Sequence, residues 1–416
     1  MKYLIVSAIG LLLLVLLQID DELSSTSQKW VAKLENDRVA DSKAYHYLSG
    51  IMASKGEDVM STGKARCSAY KKIEESARPF DNEIVFDDYA ENKKLLKPDP
   101  DNKIYCKLWQ RDCINKVLKN SSKWKSELEA HSELLERYRT FLTLTDFITL
   151  TKPSLFELNL EYDYLRYGNR LVILESLIQA ESGFPEKAMD SLVEDIKKFR
   201  RQLVVADNLI HKMFFVNMIA DNLNIMAYIS NRYNYHRDTE ISYLTPAELS
   251  VKNPVIREFG MIYYLYINLN ENPEIFEVDG NMPAWLVRII FKPNKTINQA
   301  ARVFEKIIYM STVTPQEFAA FQLSEDEVLD EDIDLFNFAG SVLNNIASPD
   351  YYIYIARLYD LNCKISLVNY LLADKSSLPV NPYYPSSNAL ETGDGEICFN
   401  GPYKDETGLR CIRNRI

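Results

Sequence analysis

The sequence predicts a mainly α-helical protein: a multi-helix bundle with helical-hairpin, repeat-like packing, an N-terminal transmembrane anchor and a short irregular or β-hairpin tail. Three observations carry that expectation. Apolar residues recur at steps of three and four through the long middle of the chain. Helix-start signatures recur, with Thr before Pro and Glu three residues after the Thr. Glycine is scarce, 13 residues in 416, whereas a sheet-rich chain with many tight turns usually carries more.

The first element is the apolar run at residues 3–19, broken only by Ser7, Gly10 and Gln18. A membrane-spanning helix takes about 17–25 mostly apolar residues. A cleavable signal ends in small residues just after its apolar core. This run passes instead into Gln18, Ile19, Asp20, Asp21 and Glu22, and the first small cluster, at 24–27, lies behind those acids. Residues 1–22 therefore read as an uncleaved anchor. Lys2 is the only basic side chain before the run, so the positive-inside bias leaves the N-terminus in the cytoplasm. The expected location is the cytoplasmic membrane, single-pass, with the body in a periplasm.

Residues 23–120 form an irregular helical, Cys-containing region, in which "STGK", "ARPFDN" and "KPDPDNK" read as loops. The chain carries six Cys and no C-x-x-C, and an even count outside the cytoplasm permits disulfides. Cys398 and Cys411 are the best candidate pair, because they flank a turn-rich stretch. Cys106 and Cys113 stand seven apart, about 10 Å along one continuous helix, which is too far to bond. They pair only if "KLWQRD" bends, and Cys67 could replace either. Cys363 reads as a small buried hydrophobe. The connectivity as a whole is not readable from sequence.

Residues 121–376 form the helical body. Trp124, Leu128, His131, Leu135, Tyr138 and Leu142 make one amphipathic stripe over 123–145, with His131 a core-edge residue. A helix ending near Glu181, then Gly183 and Pro185, predicts a helical hairpin whose second arm turns Ala188, Leu192, Ile196, Phe199 and Leu203 to one face. The turn and the small residue after it resemble a tetratricopeptide hairpin, but the 34-residue self-similarity of a true array is missing. Thr245-Pro246-Ala247-Glu248 and Thr314-Pro315-Gln316-Glu317 are capping boxes, and Ser324 with Glu327 repeats the box without Pro. A last long helix, 351–372, turns Leu358, Leu361, Ile365, Val368 and Leu372 inward. Residues 377–416 are a Pro- and Gly-rich tail.

Net charge is −11, which argues against nucleic acid, whose binding takes clustered Lys and Arg. Gly63-Lys64 lacks the spacing and the following Ser or Thr of a phosphate-binding loop. Ser61-x-x-Lys64 and Ser122-x-x-Lys125 match only the first element of the Ser–Lys acylase set, and no Lys-Thr-Gly exists. The acidic stretch 324–334 lacks the spacing of a calcium loop and reads as a solvated helix end. The histidines His46, His131, His211 and His236 are scattered singly. No catalytic, cofactor-binding or metal-binding residue is expected from these patterns.

Two surfaces stand out. Within 281–295, Trp285, Leu286, Ile289, Ile290 and Phe291 crowd a short helix with Arg288 and Lys292, a composition that suits a membrane interface as well as a core. Glu161, Asp163, Arg166 and Arg170 make a charged cluster on one predicted helix, where intrahelical ion pairing is the ordinary reading.

The anchor, the amphipathic middle with "LLERYRTF", the phrase "FKPNKTIN" and the tail "NPYYP" resemble a group of bacterial membrane-anchored helical envelope proteins with no known activity. The resemblance implies a helical extracytoplasmic body and supplies no catalytic residue. The resulting expectation is an interaction platform in the cell envelope, bound to the membrane through its N-terminal helix and to an envelope protein partner. The alternatives are an extracytoplasmic hydrolase with a site assembled from distant residues, and a lipid-binding module built on the Trp285 helix.

Overall fold

The computed structural model describes residues 17–76, 89–110, 112–154, 157–236, 240–272, 275, 283–324, 334–347, 350–373, 377–393 and 395–414. The predicted anchor lies almost wholly outside them, as does the Ser324–Glu327 box through Glu327, with most of the acidic stretch. Among the described residues, no helix is long and apolar enough to cross a membrane.

The chain is mainly helical. In order it forms α1 (Ser25–Val39), α2 (Lys43–Gly50), α3 (Val59–Ser76), α4 (Cys113–Lys119), α5 (Trp124–Ala130), α6 (Ser132–Phe141), α7 (Tyr162–Glu181) and α8 (Pro185–Val205). Then come α9 (Leu209–Tyr233), α10 (Pro246–Leu249), α11 (Lys252–Glu271), α12 (Ala284–Ile290), α13 (Pro293–Met310), α14 (Pro315–Ser324), α15 (Phe338–Ala347) and α16 (Tyr352–Leu372). The tail closes as a small antiparallel sheet, β1 (Leu390–Glu391), β2 (Glu396–Cys398) and β3 (Cys411–Arg413), with Cys398 opposite Cys411. One continuous hydrophobic core runs from Trp30 on α1 to Ile412 on β3.

The long α7–α8–α9 unit is the scaffold. Gly183 takes φ +88° and closes α7, and the Phe184 amide reaches back to the Gln179 carbonyl. Pro185 starts α8, and Ala188, Leu192, Ile196, Phe199 and Leu203 are all buried against its neighbours. α9 packs on α8 and also on α16, whose Leu358, Leu361, Ile365, Val368 and Leu372 face inward as their spacing requires. Both Thr-Pro boxes form: Thr245 with Glu248, and Thr314 with Glu317, each exchanging side-chain and backbone bonds.

The stripe over 123–145 is buried as expected, but it is not one helix. α5 and α6 meet at His131, which leaves the helical region at φ −114°, ψ 24°. Its ring is buried, with Nε2 3.7 Å from the Glu127 carboxylate. Gly63 is explained by packing. A Cβ there would overlap the backbone of His46 and crowd the Gly50 amide, so α2 and α3 cross at contact distance through two glycines.

After α6 the described residues from 142 to 161 form no helix or strand, yet Leu142, Phe147, Thr149, Leu150, Thr151 and Leu158 are buried. A buried loop must find partners for its backbone. Asp207 accepts from the Thr149 amide (2.6 Å) and hydroxyl (2.8 Å). Glu74 accepts from the Lys152 amide, Gln202 donates to the Leu144 carbonyl, and Arg257 donates to the Thr151 carbonyl while paired with Glu157. Ser42 both donates to the Asp146 carbonyl and accepts from the Ile148 amide. His211 stacks on Phe147 at 3.7 Å between ring centroids and bonds Gln202 and Tyr162.

Two outcomes test this packing. Gly63→Ala should cost about 3 kcal/mol or more in urea unfolding, because backbone rather than a flexible side chain must move. Burial pushes the His211 imidazole down to about 3 from its ordinary 6.5. The unfolded chain then takes up a proton below pH 6.5 that the folded chain refuses until near pH 3, so stability falls as pH falls through that window. Relative to His211→Gln, the wild-type chain should lose about 2 kcal/mol more between pH 7 and pH 5, and parallel pH profiles would contradict this.

Candidate functional site: a cleft between two disulfide loops

The best candidate pair, Cys398–Cys411, is a disulfide, and so is the conditional pair Cys106–Cys113, while Cys67 and Cys363 are buried thiols. The condition on the first pair is met locally. The Gln110 amide bonds the Lys107 carbonyl, the Cys113 amide bonds Gln110, and α4 begins only at Cys113, so the span between the cysteines folds back. The two loops face each other across a cleft of about 450 Å³, within the range of small-molecule and peptide sites.

The floor comes from two helices. α9 contributes Asn224, Ala227, Tyr228 and Asn231, whose spacing places them on one face, and α16 contributes Lys364. The first loop supplies Leu108, Trp109 and Asp112 to one wall; the tail supplies Glu396, Asp405 and Glu406 to the other.

Buried side chains fix both walls. Arg170 on α7 donates to the carbonyls of Ile104 and Cys106 (2.9 Å to the latter), tying the first loop to the scaffold. Lys364 donates to the carbonyls of Gly408 and Cys411, each at 2.7 Å, and burial lowers its ammonium to about 8. Asp221 on α9 is pushed up to about 6 by desolvation, against the opposing pull of Arg170, Lys364 and Arg166. Arg410 pairs with buried Asp360 at 3.2 Å, and Tyr383 donates to the same carboxyl at 2.7 Å. Asp405 accepts from the amides of Thr407, Leu409 and Arg410 and so shapes the tail loop.

Other groups remain for a ligand. Trp109 is partly exposed, with the Lys107 ammonium 5.1 Å from its ring centroid. Asp112 precedes α4 without capping it, and the side chains of Asn115 and Asn224 make no hydrogen bond among the described residues. Four carboxylates border the cleft, against Lys364, which is spent on two carbonyls, and Arg413, which lies 3.6 Å from Glu396. The result is an acidic cleft with an aromatic rim and amide groups on its floor. One group of side chains among the described residues has metal-ligand reach, Glu396 with Cys398 and Cys411. Its two sulfurs are joined to each other, which leaves no thiolate to bind an ion.

The charged cluster read from sequence is divided by the fold. Glu161 precedes α7 and pairs with Lys94 (2.7 Å) and Lys97 (3.7 Å). Asp163 and Arg166 form an intrahelical pair at 3.0 Å, and Arg166 covers the Tyr167 ring. Arg170 turns into the protein and holds the first disulfide loop. On α12 and beyond, Phe291 is buried against Tyr266, Leu286, Ile289 and Ile290 are half-buried, and Trp285 is half exposed. The histidines stay apart: His46 meets Asp41, His131 meets Glu127, His211 lies in the core and His236 bonds Asn234.

The sequence favours the Cys398–Cys411 pair and leaves Cys106–Cys113 conditional, and it does not show the cleft between them. Lys364 was hidden inside an apolar helix, and the Asn224, Tyr228, Asn231 face of α9 was the one available signal. No protein-family model, characterised protein or solved structure matches this chain.

Lys364→Met should unseat the tail, leaving two buried carbonyls without a donor. A loss of about 2–3 kcal/mol is expected in urea unfolding, with faster reduction of Cys398–Cys411 by dithiothreitol. Unchanged stability and reduction rate would contradict the anchoring role.

Proposed function

We propose that this protein is a membrane-anchored, extracytoplasmic recognition platform, whose cleft binds a peptide segment of another envelope protein. One observation carries the reading: two separate disulfides frame the two walls of a single cleft. Disulfides persist in oxidising compartments, which fits a body held outside the cytoplasm by the apolar run at 3–19. Walls closed by disulfides on a floor of two packed helices lower the ordering cost of binding.

The lining indicates the kind of segment. Trp109 and Tyr228 suit an apolar side chain, Asn224 and Asn231 suit backbone amides, and Asp112 with Glu406 suits a basic residue. The hydrolase reading lacks equivalent support, because the cleft's buried lysine, its Asp405 and its cysteines are all engaged in holding the walls.

The test is site-specific crosslinking in native membranes. A photoreactive residue replacing Trp109 should capture one partner, and the same residue at exposed Phe184 on the hairpin turn should not. The purified partner should bind wild-type protein and lose about tenfold or more in affinity to a double Asp112→Lys, Glu406→Lys variant, the size expected for oppositely charged contacts at a site. Capture from both positions alike, or affinity indifferent to the charge reversal, would overturn the proposal.

A further inference from the structure

We propose that the face formed by α12, the 3₁₀ turn Leu335–Asn337 and the start of α15 rests on the lipid bilayer beside the point where the N-terminal run enters it. This rests on the anchored reading above and adds how the body sits on the membrane.

The argument starts at the acids that follow the apolar run. Asp20 accepts from the Asn294 amide (2.8 Å) and the Lys295 amide (3.2 Å), at the first turn of α13. A carboxylate is favoured there, since those amides have no partner within the helix. Asn294 donates to the Asp21 carbonyl and Asn298 to the Glu22 carbonyl, and the Asn298 side-chain oxygen accepts from the Ser24 amide. This clasp fixes where the chain leaves the body. Residues 3–19, the most apolar run in the sequence, lie immediately before it.

On one side of the clasp several large apolar side chains are exposed. α12 ends directly before α13, and its Trp285 is half exposed beside Arg288. Asn337, fully buried, accepts from the Lys292 amide and donates to Thr296, which locks the 3₁₀ turn against the same end of α13. Lys295 pairs with Asp334 at the start of that turn. Gly340 on α15 lies so close to Thr296 that a Cβ would overlap it. The side chains this packing leaves outside are large and apolar: Leu335 is 77% exposed, and Phe336 and Phe338 are about half exposed. Ile19, next to Asp20, is also exposed.

Contiguous exposed apolar residues on a soluble surface mark a contact. A bilayer is the occupant that fits, because the chain's own apolar run ends on this face and brings it to the lipid surface. The local charges point the same way: Arg288, Lys292 and Lys295 balance Asp20, Asp21 and Asp334, so neutral lipid suffices and aromatic side chains supply the contact.

The experiment uses full-length protein in phosphatidylcholine vesicles, with and without brominated acyl chains. Phe336→Cys and, separately, Leu335→Cys carry an environment-sensitive fluorophore; native Cys67 and Cys363 are buried. Val39→Cys is the reference, an exposed residue at the far end of α1, about 20 Å from the clasp. Protein floating with the vesicles, with blue-shifted and bromine-quenched emission at 335 and 336 but not at 39, supports the proposal. Flotation without quenching at 335 and 336 overturns the lipid-facing surface and leaves the anchor standing. Equal quenching at 39 overturns it as a localised face, and protein that does not float overturns the anchor and this inference together. If 336 is shielded only in native membranes and not in lipid vesicles, a protein covers the face and the proposal fails.

Discussion

The structure depends on a buried stretch of chain that is not secondary structure. Between α6 and α7 the described backbone crosses the interior as an irregular strap over residues 142–154, and its buried peptide groups would each cost about 1–3 kcal/mol if left without partners. The partners come from everywhere else: Ser42 from α2's N-cap, Glu74 from α3, Gln202 from α8, Asp207 from the α8–α9 connection and Arg257 from α11. Satisfying one segment therefore fixes the relative placement of five elements. The N-terminal helices are not an appendage to the helical body, because α2 and α3 meet it through this strap and α1 packs directly on α11 and α13. Pro153 on the strap also sits against Gly260, where a Cβ would press on it, so α11 approaches as closely as a glycine allows.

That arrangement explains which parts of the fold were legible. Features set by local chemistry were readable: the Gly183 turn, the Thr245 and Thr314 boxes, and the inward stripes of α8 and α16. Periodicity and capping act within a few residues and leave a trace in sequence. The strap leaves none, since its partners lie far away in the chain and its Thr, Asp and Pro residues look like an ordinary surface loop. Gly63 is the same problem in another form. Beside Lys64 it suggests a phosphate loop, and its actual role, letting α2 and α3 touch, needs the position of Gly50 to be seen. The break at His131 was masked because the stripe it belongs to stays in phase through it.

The phrases behind the envelope-protein resemblance fall at structural joints. "LLERYRTF" is the core-facing run of α6, where Tyr138 fills the space left by Gly168. "FKPNKTIN" is the clasp for Asp20, and "NPYYP" places Tyr383 on Asp360 and Asn381 on the Asn400 carbonyl. The cleft was less legible than the fold. Its walls were indicated by the cysteines, but its depth comes from Arg170, Lys364 and Asp360, charged residues buried inside apolar helices. Arg170 and Lys364 hold loops by charge-assisted bonds to carbonyls, and Asp360 holds the tail by accepting from Arg410, which periodicity cannot reveal. The same scaffold thus presents an acidic cleft and an apolar face beside the Asp20 clasp.

The central claim is that the strap is a fixed part of the core rather than a covering loop. Native-state hydrogen exchange tests it most directly, at the amides of Ile148, Thr149 and Lys152 against those in the middle of α9. The account predicts that these three exchange only with global unfolding, as slowly as α9, and that Asp207→Asn releases Thr149 to faster exchange while α9 stays protected. Fast exchange of the three amides in the wild-type protein would contradict it.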